Sequence, residues 1–400
     1  MKKITYSQIL AIVSFITLIL LGFFSIKLPF RGDEKHIVET IRLFANNFHF
    51  ETIKDYPEVT PPFFYIFYAI WAKIFGQSIE SLRIITMILA FITWQLIFHL
   101  NRLFIKNELY AFLIAILIII NPYFLGASIF VFTDMLTIML CVAAVISFLK
   151  NKLFLFTIFS MLAILCRQYA IVIPIGVIVY NVFNYLVHKS KNTNMVIGSL
   201  VSFIPLLIVF IFWGGISPVS GINKWIIPNS DFYNFDYINA YITFSAVYLF
   251  PLILLFYKKI KVSPLSMLIT SVIAFILSRF PIKASAATLE FTEYKSVGFV
   301  HQFLIQIFGF ESYGLKIILF LLLFIGVYLN VEMLKHFFIQ IKEKKLSKDK
   351  IFLILWILFL VVIPFSYQVW EKYLIMILPF YAIILFLFIS SKLNGSQSEL

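Results

Sequence analysis

The chain has 400 residues, 62% hydrophobic and only 13% charged, with a formal net charge of +13. Apolar runs extend from one end to the other. Some, such as "AFLIAILIII" (111–120) and "IFLILWILFLVVI" (351–363), have no polar face, so water is not their solvent and a soluble globular protein is excluded. The positive charge does not mark a nucleic-acid binder, because the lysines sit in short loops between apolar runs, where they act as topology signals.

The opening "MKKITYSQILAIVSFITLILLGFF" has the look of a signal peptide. Its apolar stretch is long enough to span a bilayer and no small-residue cleavage site follows, so it is expected to be a retained first helix. Further apolar spans are predicted near residues 82–104, 108–121, 130–149, 152–166, 169–187, 194–213, 240–257, 263–280, 314–334, 351–367 and 372–391, about twelve with the first. The expected fold is all-α, a polytopic integral membrane protein forming one transmembrane domain over residues 1–400.

Lysines gather in alternate loops: "RLFIKNE", "FLKNK", "HKSKNTN", "YKKIK" and "KHFFIQIKEKKLSKDK". The last holds six Lys against one Glu and one Asp, whereas residues 27–60 hold five Lys or Arg against six Asp or Glu. The positive-inside rule then places both termini in the cytoplasm. Three long segments fall on the outer side: 27–81, 214–239 and 281–313. Loops of that length usually carry function. The first contains two amphipathic stretches, "EKHIVETIRLFANNF" and "FFYIFYAIWAKIFG", predicted as helices along the membrane surface and separated by Pro61 and Pro62. Consecutive prolines fix φ and remove donors, so they end one segment and start the next at a defined angle.

Cys141 and Cys166 both lie inside apolar segments, which supports neither a disulfide framework nor a metal cluster; they read as core thiols. The chain has no internal repeat, Gly-rich phosphate loop, Cys-x-x-Cys pair or nucleic-acid module. The ionisable residues near outer span ends are what remains to explain. Asp33 and Glu34 follow the first span directly, at the headgroup boundary. Two readings stand: the acidic first turn of a helix, favourably placed against its dipole, or a chemical pair.

Later stretches bear on that choice: "YPEVTPPFFYIFYAIWAKIFG", "SLRIITMILAFITWQLIFHLNRLF", "NPYFLGASIFVFTDML", "LCRQYAIVIPI" and "WEKYLIMILPF". In this order they resemble the GT-C glycosyltransferases, the membrane superfamily that includes protein O-mannosyltransferases and the aminoarabinose transferases of lipid A. The chain is most similar to the branch of dolichyl-phosphate-glucose α-1,2-glucosyltransferases. The matching positions are Asp33, Glu34 and His36; Thr60, Pro61 and Pro62; Thr133 and Asp134; Arg167 and Gln168; and Lys372, Tyr373 and Pro379, with Lys372 standing where the pattern has Arg.

The resemblance implies an inverting hexosyltransferase that takes its sugar from an undecaprenyl or dolichyl phosphate and passes it to a lipid-linked glycan, polysaccharide or protein acceptor. Partners would be the lipid donor, the acceptor and membrane lipids, with no nucleic acid. The carrier's tail stays in the bilayer, so the site belongs at the outer interface of a prokaryotic cytoplasmic membrane or, equally, of the endoplasmic reticulum membrane. An acceptor hydroxyl is a poor nucleophile near neutral pH, and a carboxylate on it takes its proton as it attacks. Asp33 is expected to be that base, with Glu34 orienting it or exchanging roles with it.

The leaving phosphate needs a cation placed beforehand, and Arg167 is the leading candidate; an ion pair with Asp134 is the alternative. Lys372 is either a second phosphate contact or a snorkelling anchor. Asp134 is an acceptor contact or one ligand of a divalent cation, the one cofactor the sequence raises. His36, Gln168 and Tyr373 are supporting positions. His301, in "FVHQF", contacts sugar or phosphate or is satisfied inside the fold. Tyr56, Tyr65 and Trp71 are assigned no role. The competing function is a transporter or flippase of a lipid-linked sugar. Transporters place polar groups near the bilayer midplane, often in repeated halves, whereas the ionisable residues here gather at span ends.

Overall fold

The structure is a computed structural model that describes residues 5–190, 192–226, 233–255, 263–285, 288–289 and 295–394. The predicted basic cluster "YKKIK" (257–261) and parts of the second and third long loops lie outside the described residues. All regular structure among the described residues is helical, as expected. Each stretch marked above as an apolar span is largely helical where described.

The helices pack into two compact units: residues 1–178 with 192–226, and residues 179–191 with 227–400. In the first unit, α1 (Tyr6–Ser25) leads to α2 (Glu34–Asn46), α3 (Phe50–Lys54) and α4 (Phe63–Phe75). Then come α5 (Ile79–Phe104), α6 (Glu108–Ile119), α7 (Pro122–Ile129), α8 (Thr133–Leu149) and α9 (Leu153–Cys166). After a 3₁₀ turn at Gln168–Ile171, α10 (Val172–His188) begins in this unit and ends in the other, and α11 (Thr193–Val201), α12 (Ile204–Trp213) and α13 (Val219–Trp225) complete the first. The second unit holds α14 (Phe235–Tyr248), α15 (Phe250–Leu255), α16 (Pro264–Ser278), α17 (Phe299–Phe308), α18 (Tyr313–Lys342), α19 (Lys350–Val362) and α20 (Leu378–Asn394).

The chain is a polytopic membrane protein. Among the described residues, five helical stretches are long and apolar enough to cross a bilayer: Tyr6–Ser25, Ile79–Phe104, Gln168–His188, Thr193–Trp213 and Tyr313–Lys342. At 1.5 Å per residue, about 20 residues cover the hydrocarbon thickness. α1 turns Phe15, Ile16, Ile19, Leu20 and Phe23 outward, more than half exposed, which only lipid makes favourable. A sixth crossing exists if α6 and α7 are counted as one broken span, bent by 73°. The local sequence explains the bend: Pro122 has no N–H to continue α6, and the Asn121 side chain accepts from the amides of Tyr123 and Phe124 to start a new helix. Several other predicted spans are shorter apolar helices of 10–17 residues.

The first unit is organised around α5, which packs against α1, α6, α7 and α8, while α8 lies along α9. α2 is amphipathic as expected. Ile37, Val38, Ile41, Phe44 and Ala45 form its buried stripe, and it packs on α4, which starts just after Pro62. In the second unit, α18 packs between α14 and α16.

Candidate functional site

Arg83, which sequence reasoning passed over, fixes the geometry of the first long segment between spans. It lies one turn inside apolar α5 with no exposed surface, so its charge needs a partner. Glu34, also fully buried, supplies it. Nε donates to Oε1 at 2.9 Å and an Nη2 hydrogen to Oε2 at 2.5 Å, a bidentate fork. The rest of the guanidinium donates to the carbonyls of Ser25, Ile26, Leu28 and Pro29, closing the end of α1. Glu34 also accepts from the amides of Arg31 (3.1 Å) and Val131 (3.0 Å). One buried ion pair therefore ties together α1, the turn before α2, α5 and the segment before α8.

This arrangement divides the labour of the acidic pair. Gly32 takes a left-handed φ of 52°, and the chain turns into α2 with Asp33 at the N-cap and Glu34 in the first turn. The predicted helix start is correct, but Asp33 makes no side-chain cap bond and Glu34 turns away from the helix toward Arg83. Asp33 keeps 45% of its side-chain surface exposed while Glu34 has none. The structure presents one carboxylate and saturates the other.

His36 stands one helical turn from Asp33, with Nε2 3.8 Å from Oδ1. Its Nδ1 lies 2.6 Å from Oε1 of Glu58, a second residue the sequence reading passed over, and its ring packs 4.6 Å from Trp225. Burial alone would lower the pKa of His36; hydrogen bonds and charge from Asp33 and Glu58 override it and raise the group to about 9. Glu58 is held by Thr40 and sits in the segment before Pro61.

That segment is stitched to the chain around α13. Ser217 Oγ donates to the Val59 carbonyl, Trp225 Nε1 to the Pro57 carbonyl and Trp213 Nε1 to the Ile53 carbonyl; Ser220 donates through amide and hydroxyl to Asp55. Gly221 is glycine for contact reasons, since a Cβ there would overlap the backbone of Glu58. Tyr56 and Tyr65 bond Thr60 from inside the loop, and burial raises both phenols well above their ordinary range. Trp71 donates to the Ser81 carbonyl.

Arg167 follows α9 in extended conformation, its side chain only 10% exposed. Nε donates to Thr133 Oγ1 at 2.6 Å, an Nη2 lies 3.6 Å from Asp134 Oδ2, and the guanidinium faces the Tyr169 ring at 5.2 Å. Tyr169 in turn donates to Asp134 at 3.3 Å. The alternative weighed above, an Arg167–Asp134 ion pair, is present, in a looser form than Arg83–Glu34. Gln168 donates to the Val59 carbonyl at 2.7 Å and the Ile216 carbonyl at 3.4 Å, a bridge between loops.

These contacts close a ring. Glu34 binds Val131, two residues before Thr133; Thr133 binds Arg167; Gln168 binds Val59; Glu58 binds His36; and His36 faces Asp33. Sequence-predicted Asp33, Glu34, His36, Asp134, Arg167 and Gln168 thus converge in the first unit. Among the described residues, no three His, Cys, Asp or Glu side chains are grouped so as to hold a metal ion.

Lys372, Tyr373 and His301 belong to the second unit. There the fully buried Glu371 accepts from the amides of Val300 (3.1 Å) and His301 (2.8 Å) at the start of α17 and from Tyr248 Oη (2.7 Å). His301 is 2% exposed, its Nδ1 accepts from the Val297 amide, and burial lowers its pKa to about 4. It is satisfied inside the fold. Lys372 places Nζ 5.9 Å from the Trp370 ring centroid and 5.8 Å from that of Tyr373, itself 6% exposed. Arg83 and Glu371 carried one readable signal, a charge set among apolar or aromatic residues; Glu58, in "KDYPEVTPP", carried none.

No family model and no curated protein matches the chain. Among solved structures, ArnT from Cupriavidus metallidurans bound to undecaprenyl phosphate aligns with a TM-score of 0.44 and 12% identity, covering 97% of this chain and 78% of that one. The same protein in the apo state aligns with a TM-score of 0.43 and 13% identity, covering 96% and 76%. At that level of likeness, the functional reading rests on the residues themselves.

Proposed function

We propose that the chain is an inverting membrane glycosyltransferase that moves a sugar from a polyprenyl phosphate to a hydroxyl acceptor at the outer membrane interface. The observation that carries this reading is the half-exposed carboxylate of Asp33, held on a rigid turn beside a buried, paired glutamate and on the same ring of contacts as the Arg167 guanidinium. In the proposed step, the acceptor oxygen attacks the anomeric carbon and gives its proton to Asp33. The bond from that carbon to the phosphate oxygen breaks, and its electron pair leaves with the polyprenyl phosphate. Attack opposite the leaving group inverts the centre, with no covalent enzyme intermediate. Glu34 is a positioning residue here, and Arg167, steadied by Thr133 and Asp134, neutralises the charge that develops on the phosphate.

The branch resemblance adds a hexose, with glucose the first sugar to try, and a lipid-linked glycan as first acceptor. Lys372, Tyr373 and His301 enter only as residues to be tested on their own. The test is transfer from radiolabelled polyprenyl-phosphate sugars to membrane extract by purified protein. Transfer from one donor, with about 10²–10³-fold loss in Arg167→Lys, supports the reading. Donor binding and movement across vesicles with no transfer from any donor overturns it in favour of the transporter.

A further inference from the structure

The ring of contacts contains an acid–imidazole–acid array of which the proposed step uses Asp33 alone. Asp33 and His36 share one turn of α2, so the Nε2 edge of the imidazole faces the carboxylate at 3.8 Å. The other ring nitrogen is fixed at 2.6 Å by Glu58, whose side chain is 6% exposed and is itself held by Thr40 at 3.3 Å. Thr40 also donates to the His36 carbonyl, so helix, histidine and glutamate are locked as one piece. α13 covers the third side with the Trp225 ring, and the close approach of Gly221 to the Glu58 backbone keeps the acid in register. So much fixed structure behind one exposed carboxylate calls for a role.

We propose that His36 and Glu58 are positioning residues for Asp33: Glu58 holds the imidazole through Nδ1 and keeps it cationic, and the Nε2–H edge keeps the Asp33 carboxylate ionised and turned toward the acceptor. The inference rests on Asp33 being the base. The charges acting on His36 are those of Asp33 on its own helix and Glu58 across from it; α13 contributes the Trp225 indole, with the Lys224 ammonium 4.8 Å from that ring's centroid. With the imidazole already protonated, it does not take up the acceptor's proton; that proton stays on Asp33 and leaves through its exposed side to water. The same arrangement accounts for the choice between Asp33 and Glu34: Glu34 is buried and saturated by Arg83, whereas Asp33 is exposed to an acceptor.

The experiment is a pH titration of the His36 side-chain resonance in the full chain, assigned by its loss in His36→Gln, in wild type, Glu58→Gln, Glu58→Asp and Asp33→Asn. The proposal expects wild type and Glu58→Asp to stay protonated to about pH 9, and Glu58→Gln to titrate lower by about 1–3 pH units. Should Glu58→Gln not fold, Asp33→Asn, at a half-exposed position, must show a downward movement too. A wild-type His36 that titrates near an ordinary histidine, or one unmoved by these variants, overturns the array whether or not transfer is observed. With a donor in hand, the acidic limb of the kcat/KM profile moves to higher pH in His36→Gln; a limb that does not move shows a structural histidine only. Absence of transfer in wild type alongside the expected titration would instead overturn the base assignment and the role of His36 with it.

Discussion

Each unit holds a fully buried glutamate near a histidine, and the two settings are opposite. Around Glu34 the neutralising partner is a full guanidinium, and the neighbouring His36 is raised to about 9 by two carboxylates that outweigh its burial. Around Glu371 the partners are two amides at the start of α17 and the Tyr248 hydroxyl, and the neighbouring His301 is lowered to about 4 by burial alone. In the first arrangement Asp33 stands beside the saturated pair, 45% exposed. In the second, two amides and a hydroxyl bind one buried carboxylate. The lesson is that in an apolar protein the site of chemistry is not marked by buried charge as such, since both units have it. On the proposed function it is marked by the charge that a buried pair holds in place at the surface.

The comparison breaks most sharply at Arg83. Arg83→Met leaves Glu34 buried and unpaired and opens the end of α1, at an expected cost of about 3–5 kcal/mol, measured as a lowered unfolding midpoint in detergent. An unchanged midpoint would mean that Glu34 finds water. The corresponding change in the other unit, Glu371→Gln, keeps the shape and removes the charge. Two amides and a hydroxyl answer that carboxylate, and losing its charge should cost about 1–3 kcal/mol.

The two histidines sharpen the contrast through pH. His36 has a raised folded pKa, so its contribution is complete below the unfolded value near 6.5 and is lost as pH rises through about 9. His301 has a lowered one, so its contribution is complete above about 6.5 and is lost as pH falls through about 4. The stability gap between wild type and His36→Gln should therefore narrow on raising pH, and that for His301→Gln on lowering it. Parallel responses would show that the two environments are alike. These are the smallest of the expected effects.

Much of the fold was legible because apolar runs and prolines act locally. The first helix, the start of α2 at Asp33–Glu34 and the restart of the chain after Pro62 all stand where the sequence places them. Fewer crossings are supported than the apolar runs suggested. Hydropathy does not see a cap such as Asn121–Pro122 inside an apolar stretch, nor a helix that stops short of about 20 residues. In the site, the acids and Arg167 could be picked out from their order along the chain. Their division of labour could not, because it depends on Arg83 and Glu58, which lie 49 and 22 residues away from their partners Glu34 and His36. Gln168 shows the same limit: it was legible as a position, but its bridge to Val59 exists only in three dimensions.

The most direct test of the central claim is single-turnover transfer from the preferred polyprenyl-phosphate sugar by wild type and Asp33→Asn at matched folded yield. Asp33 is half exposed and makes no cap bond, so the variant should fold and bind donor as wild type does while transferring about 10²–10⁴-fold more slowly. Undiminished transfer by a folded Asp33→Asn would contradict the account and return Asp33 to the role of a helix N-cap.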